Sequence, residues 1–220
     1  MNEKIIFLGK SSYALGIISD MLKLNYGNQI CGLLSNISDD ENDSLNHPYI
    51  IEGIAIKEHI LDDFTDIQQK SLIIASIGKS RKKIYDFYKD KISYSKNSFP
   101  TLIHPSSVIG SNVQFGMGFH LSPLSVIAPF CTIKNFVVVN RNTSIGHHTI
   151  LHDFVTVNPG VNIAGICEVG ESSIIGAGTT IIDKITIGKN SIIGAGSVVT
   201  KNIPDHVVAY GNPCKVIRDN

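Results

Sequence analysis

Residues 157–199 read VNPGVN IAGICE VGESSI IGAGTT IIDKIT IGKNSI IGAGSV V, and every sixth residue of the run is aliphatic. Extended outward, the same step holds without a break from Ile103 to Val199, through seventeen positions that include Ile109, Phe115, Leu121, Ile133, Ile145, Val169 and Ile187. At 43% apolar composition, seventeen successive apolar hits arise by chance on the order of once in a million, so residues 103–199 are a repeat. The residue four after each hit is mostly small or β-branched, as at Ser125, Cys131, Thr143, Thr149, Cys167, Ser173, Thr179, Ser191 and Ser197. The residue just after the hit is often glycine: Gly110, Gly116, Gly146, Gly170, Gly176, Gly188 and Gly194.

A period of six suits neither an α-helix nor a hairpin array; it suits a solenoid of short strands joined by tight corners. The large aliphatic and the small residue two before it then point inward, and the glycine lets the chain turn. Three strands close one coil of eighteen residues, and coils stack by parallel pairing at about 4.8 Å. The pattern is that of a left-handed parallel β-helix, an exception to the right-handed crossover rule.

The rest of the composition is bland. The 220 residues carry no formal net charge, so bulk electrostatics gives no reason to expect nucleic acid or an anionic membrane as partner. The four cysteines, Cys31, Cys131, Cys167 and Cys214, show no CxxC spacing, which reads as a reduced, cytoplasmic setting with Cys131 and Cys167 used for packing. The opening apolar run 4–8 is too short for a signal peptide, and no run approaches a membrane span.

Residues 1–100 alternate strand and helix patterns: strands at 4–8, 29–34 and 72–77, a strand or loop edge at 49–55, and helices at 14–25, 65–69 and 81–91. Such alternation argues for a small parallel sheet covered by helices, with ligands at the carboxyl ends of its strands. That points to Gly9, Lys10, Ser11, Ser12 and Tyr13, to Ser35 and Asn36, and to Gly78 and Lys79. Gly9-Lys10-Ser11-Ser12-Tyr13 lacks the glycines of a dinucleotide fingerprint. Its hydroxyls and Lys10 suit a phosphate at a helix N-terminus, or Ser11 or Ser12 simply caps that helix. The basic run Gly78-Lys79-Ser80-Arg81-Lys82-Lys83 reads equally as a solvated helix face capped by Ser80.

The chemistry-bearing cluster is Ile145-Gly146-His147-His148-Thr149-Ile150-Leu151-His152-Asp153. His147 and His148 fall on a corner and project outward. Histidine is suited to general-base work near neutral pH, and three within six residues of a monotonous scaffold point to function.

The repeat resembles the hexapeptide acyltransferases, and the whole chain resembles nucleotide-sugar acetyltransferases of the NeuD/PglD type. The resemblance rests on residues 4–14, Ser76-Ile77-Gly78 with Arg81-Lys82-Lys83, Leu102-Ile103-His104-Pro105, the His147 corner, Ala164-Gly165, and the tail Gly211-Asn212-Pro213-Cys214-Lys215-Val216-Ile217. It implies a fold of an α/β N-terminal Rossmann-like, sugar-nucleotide-binding domain (1–100), followed by a left-handed β-helix acyltransferase domain with a short C-terminal tail (101–220). It implies a cytoplasmic homotrimer with sites between prisms, serving surface glycan or lipopolysaccharide biosynthesis. The reaction implied is acetyl transfer from acetyl-CoA to the amine of a nucleotide-linked amino sugar, with no metal. By the same resemblance His147 is the base, the Gly165 N–H holds the thioester oxygen, and the pantetheine arm passes Ala177 and Ala195. Pro213 and Lys215 meet the adenosine end, and Asn140 lines the sugar site.

Three departures accompany the resemblance. His148 stands where the family has a carboxylate, with Asp153 a possible substitute. Thr156, placed along the acetyl-CoA path, stands where the family has a second histidine. Ser35-Asn36 replaces an acidic pair of the UDP-sugar enzyme. His148 itself is an alternative base. Sialic-acid-type sugar O-acetylation is the close alternative. His147-x4-His152, with His120, also resembles the zinc spacing of γ-class carbonic anhydrases, and a scaffold that binds nucleotide sugar without turnover is the non-enzymatic alternative.

Overall fold

The computed structural model describes residues 5–9, 18, 30–34, 50–51, 54–55, 58–59 and 70–220. The chain divides into two compact units, Met1–Pro100 and Thr101–Asn220.

In the first unit β1 (Ile5–Leu8), β2 (Ile30–Leu34), β5 (Glu58–His59) and β6 (Ser71–Ile74) form one sheet in the order β5-β2-β1-β6. All three pairings are parallel. Between them β3 (Ile50–Ile51) and β4 (Ile54–Ala55) pair as an antiparallel ribbon. Ile5, Ile6, Phe7 and Leu8 are all buried, as the unbroken apolar run requires of a central parallel strand. Helix α1 spans Ser80–Tyr88 and buries Arg81, Ile84 and Tyr88. The described part of this unit is not the expected Rossmann-like domain. Among the described residues α1 is the one α-helix with a defined span, whereas a doubly wound domain needs helical layers on both faces of its sheet. The expected helices at 14–25 and 65–69 lie outside the described residues, apart from Ile18, which is helical and buried.

The second unit is a three-sided β-solenoid of about six coils. Seventeen two-residue strands run from β7 (Leu102–Ile103) to β23 (Val198–Val199). Every third strand joins the same sheet, which puts six, six and five of these strands on the three faces, and two C-terminal strands bring the first face to eight. The eight-stranded face is extended by β24 (Val207–Tyr210) and antiparallel β25 (Lys215–Asp219). Pairing advances by eighteen residues with no slip, as in Ile145↔Ile163 and Ile163↔Ile181.

Both inward positions are occupied as the hexad dictates. From Leu121 to Val199 every sixth residue is buried, each such side chain removing about 1.5–3 kcal/mol of apolar exposure from water. Phe115, in the first coil, is 44% exposed. The small residues between them are buried too, and their hydroxyls reach the backbone of the next coil. Ser125 Oγ donates to the Asn140 carbonyl (2.9 Å), Thr143 Oγ1 to Asn158 (3.2 Å), Ser173 Oγ to Gly188 (2.6 Å) and Ser191 Oγ to Pro204 (2.8 Å). Cys131 and Cys167 do the same with sulfur, toward Gly146 (3.1 Å) and Ile182 (3.2 Å). A buried polar group costs little when bonded in this way.

The corner geometry differs from the sequence reading. The chain bends at the third residue after each aliphatic, in the left-handed region: Leu124, Phe130, Phe136, His148, Phe154, Ile166 and Lys184 all have φ between 55° and 63°. Each such non-glycine residue costs about 1–2 kcal/mol. The ladder holds it there: Phe136 N–H donates to Met117 O (2.8 Å), Ile166 to His147 (2.8 Å) and Lys184 to Gly165 (3.0 Å). The glycine beside the aliphatic has another task. A Cβ on Gly146, Gly170 or Gly176 would lie 2.4–2.5 Å from backbone atoms of the next coil. Those glycines permit close stacking; they do not make the turn.

Burial pushes the Cys131, Cys167 and Cys214 thiols up, so little thiolate forms at them near neutral pH. Treatment of the folded protein with a thiol-specific disulfide reagent at pH 8 is expected to modify these three far more slowly than in denaturant. Equal rates in the two conditions would show that the solenoid core is open.

Candidate active site

Ile145 and Thr149 are both fully buried, and Thr149 Oγ1 is bonded to the Ala164 carbonyl (3.3 Å). With both ends of the corner tied inward, residues 146–148 face outward, and His147 and His148 are exposed. This edge joins the six-stranded face to the five-stranded one. His148 takes the bend (φ 58°), and its N–H donates to the Pro129 carbonyl (3.2 Å). Its ring stacks on Phe130, one coil before, at 4.9 Å and 23°. His147 meets that ring edge-on, at 88° and 5.2 Å between centroids, and the two Nδ1 atoms are hydrogen-bonded at 3.0 Å.

The other side of His147 lies over Gly165, one coil on. A Cβ built at Gly165 would stand 2.6 Å from His147 Nε2 and 2.7 Å from Cε1. The glycine therefore leaves the space that the Nε2–Cε1 edge of the imidazole fills. The Gly165 carbonyl accepts from Lys184 N–H (3.0 Å), whereas its own N–H donates to no group among the described hydrogen bonds. The edge between the five- and eight-stranded faces differs. There the equivalent N–H groups of Met117, Asn135 and Lys189 are capped by Asn135 Oδ1 (3.2 Å), Asp153 Oδ1 (2.7 Å) and Asp205 Oδ1 (2.9 Å).

That ladder corrects two sequence expectations. Asp153 belongs to the capped edge and is bonded to Asn135 N–H, so it does not stand in for a carboxylate beside His147. His152 sits on the same edge, where its Nε2 pairs with Glu168 Oε1 at 2.7 Å. The apparent cluster of three histidines is a pair plus one. Nor do His147, His152 and His120 converge: His120 lies buried in the eight-stranded sheet. Among the described residues no group of three or more His, Cys, Asp or Glu is placed to hold a metal ion.

Other expected site residues gather on the third edge, between the eight- and six-stranded faces. Ala177 and Ala195 are exposed there, eighteen residues apart. Pro213 follows eighteen residues after Ala195, in a turn anchored by Val198 N–H to Gly211 O (3.0 Å) and Cys214 N–H to Val198 O (2.8 Å). Lys215 opens β25 and is exposed. Asn140 lies on this edge, but its carboxamide donates to the Val157 carbonyl (3.0 Å). Thr156 is buried within the eight-stranded sheet. The His147 edge and the alanine edge thus border one common face, the six-stranded one, separated by six residues of chain, or at most roughly 20 Å.

In the first unit Gly9 (φ +91°) is buried, its N–H bonded to the Leu34 carbonyl (3.0 Å). A Cβ there would lie 2.7 Å from Ile84 Cδ1, so the position serves close packing against α1. Lys10, Ser11, Ser12, Tyr13, Ser35 and Asn36 lie outside the described residues. Gly78 turns with φ +54° and Lys79 is exposed. The N-cap of α1 is Lys79, with no side-chain cap bond, so Ser80 does not cap it. Nor is the helix face uniformly solvated: burial pushes the Arg81 guanidinium down to about 9, and Lys82 pairs with Asp86 at 2.8 Å.

Residues 166–201 match the family Bacterial transferase hexapeptide (six repeats). No curated protein sequence matches significantly. Among solved structures, the acetyltransferase domain of PglB from Neisseria gonorrhoeae, in complex with acetyl coenzyme A, superposes with a TM-score of 0.81 at 23% identity, covering 99% of this chain and 100% of that one. A mutant of perosamine N-acetyltransferase from Caulobacter crescentus, with CoA and GDP-perosamine, gives 0.81 at 24% identity over 100% and 98%. WeeI from Acinetobacter baumannii gives 0.77 at 22% over 98% and 100%. The chain carries the hexapeptide repeat and has the fold of these left-handed β-helix proteins.

Gly146 and Gly165 separate fold from site. Gly165→Ala has the movable His147 ring as its nearest contact, and is expected to leave the melting temperature within about 2 °C while displacing the imidazole. Gly146→Ala meets the backbone of Ala164 and Gly165 and is expected to cost about 1–3 kcal/mol. Thermal melts of both variants check this; equal destabilisation would contradict the assignment of Gly165 to the site.

Proposed function

We propose that the protein transfers the acetyl group of acetyl-CoA to the amino group of a nucleotide-linked amino sugar, of the 4-amino-4,6-dideoxy or trideoxy type, with His147 as general base. The observation that carries this reading is the seating of the His147 imidazole over Gly165, beside a backbone N–H with no acceptor among the described residues. The likeness in fold to an acetyl-CoA complex and to a complex with CoA and GDP-perosamine supports the choice of donor and acceptor. Two structures of the perosamine enzyme carry a substituted histidine.

The amine lone pair attacks the thioester carbonyl carbon and forms the C–N bond. Negative charge grows on the carbonyl oxygen, where the Gly165 N–H donates to it. His147 Nε2 takes the surplus proton from nitrogen. The C–S bond then breaks, and the thiolate receives that proton from the imidazolium, leaving N-acetyl sugar and free CoA. Transfer is direct, with no acyl-enzyme.

The pantetheine arm runs along the alanine edge past Ala177 and Ala195, with Pro213 and Lys215 toward the adenosine end. Because this edge and the His147 edge border opposite sides of one face, the site is completed by a neighbouring copy in a homotrimer. Exposed Val108, Val126, Phe130, Ile166 and Ile182 on that face and the His147 edge support self-association. In the first unit the candidates for holding the nucleotide sugar are Gly9, Lys10, Ser11, Ser12, Tyr13, Ser35, Asn36, Gly78 and Lys79; on the solenoid the candidate is Asn140. The role is cytoplasmic, in surface-glycan synthesis. Among the described residues no helix is long and apolar enough to cross a membrane.

Thiol release from acetyl-CoA is measured against a panel of UDP-, GDP- and dTDP-amino sugars. His147→Ala is expected to lower kcat about 10²- to 10⁴-fold, with KM for acetyl-CoA changed less than about 3-fold. Turnover that survives His147→Ala, or the lack of an amine acceptor across the panel, contradicts the proposal.

A further inference from the structure

Resting on His147 as the base, we infer that His148 is its positioning residue: a neutral imidazole whose Nδ1 accepts the His147 Nδ1–H and so holds the catalytic tautomer. Two Nδ1 atoms at 3.0 Å require one proton between them, because two N–H groups would repel and two lone pairs would form no bond. If His147 receives a proton at Nε2, its Nδ1 must already carry one. His147 is then the donor and His148 the acceptor, with the His148 proton on its own Nε2. After the proton is taken up, the same bond is charge-assisted and spreads the new charge toward His148.

Three features fix the acceptor. The backbone of His148 is set in the left-handed region by the ladder, its ring is stacked on Phe130, and the two rings cross at 88°. No carboxylate competes among the described residues. His147 and His148 have no ion pair there, Asp153 is spent on Asn135, and Glu168, on the adjoining face, is paired with His152. Asp183 and Lys184, the next charged residues along this edge, lie two coils from His147 and His148, about 10 Å away, and pair with each other. The remaining neighbours, Pro129, Phe130, Gly165 and Ile166, do not titrate.

Two substitutions are compatible with the bend. Phenylalanine already occupies it at Phe130, Phe136 and Phe154, and Phe136 stacks on Phe154 at 4.9 Å and 15°, so His148→Phe keeps the stack and removes the acceptor. Aspartate tolerates the left-handed region, so His148→Asp restores an acceptor and adds a negative charge. For His148→Phe, kcat is expected to fall about 10- to 100-fold with KM for both substrates within about 3-fold. His148→Asp is expected to recover most of that kcat and to move the acid limb of its pH profile to higher pH, because the anion favours the protonated base. Thermal melts confirm that both variants are folded. Full kcat in His148→Phe, or an acid limb in His148→Asp that coincides with wild type, overturns the positioning role while His147→Ala still tests the base. Turnover that survives in His147→Ala but is lost in His148→Phe reverses the two roles and overturns this inference along with the base assignment.

Discussion

The parallel ladder that pairs each residue with the one eighteen positions on is the constraint from which the rest follows. It admits no slip between Leu102 and Val199, because both alternating inward positions are buried and a one-residue shift would turn the aliphatic column outward. It also holds non-glycine residues at left-handed corners, since their N–H groups have carbonyl partners one coil back. A side chain's neighbours along an edge are therefore residues about eighteen away, as His148 finds Phe130 and His147 finds Gly165.

That rule gives the three edges different characters. One is closed by side-chain caps running from Asn135 to Asp153 and recurring at Asp205. One is lined by Ala177 and Ala195 and leads to the tail at Pro213. The third carries His147 and His148 between Phe130 and Gly165. The capped edge uses its polar side chains on its own backbone. On the His147 edge the Gly165 N–H has no acceptor among the described residues and two imidazoles stand beside it, and the proposed reaction uses that N–H for the oxyanion and His147 for the proton. The same backbone thus carries side-chain caps on one edge and an exposed histidine pair on another.

The hexad made the solenoid legible before any coordinates, because burial at a period of six leaves a compositional record. The corner left none: Asn, Leu, Phe, His, Ile, Ser and Lys all occupy the left-handed position, so the bend is imposed by the ladder rather than encoded by glycine. His152 and Asp153 misled because nearness along the chain is not nearness on an edge; both fall one corner beyond His147. Phe130 and Gly165 were recoverable by counting eighteen, backward from His148 and forward from His147. In the first unit the parallel strands at Ile5–Leu8, Ile30–Leu34 and Ser71–Ile74 and the helix at Ser80–Tyr88 follow their apolar patterns. The Rossmann-like label asked for helical layers that a strand pattern alone does not guarantee.

The proposed function rests on one place, the imidazole of His147 seated on Gly165. A crystal structure of the protein with CoA tests it most directly. The account predicts the CoA sulfur beside this corner, within about 4 Å of His147 Nε2 or joined to it through one water, with the pantetheine arm leading toward an Ala177–Ala195 edge. A sulfur seated at the capped Asn135–Asp153 edge, with His147 facing bulk solvent, would contradict it.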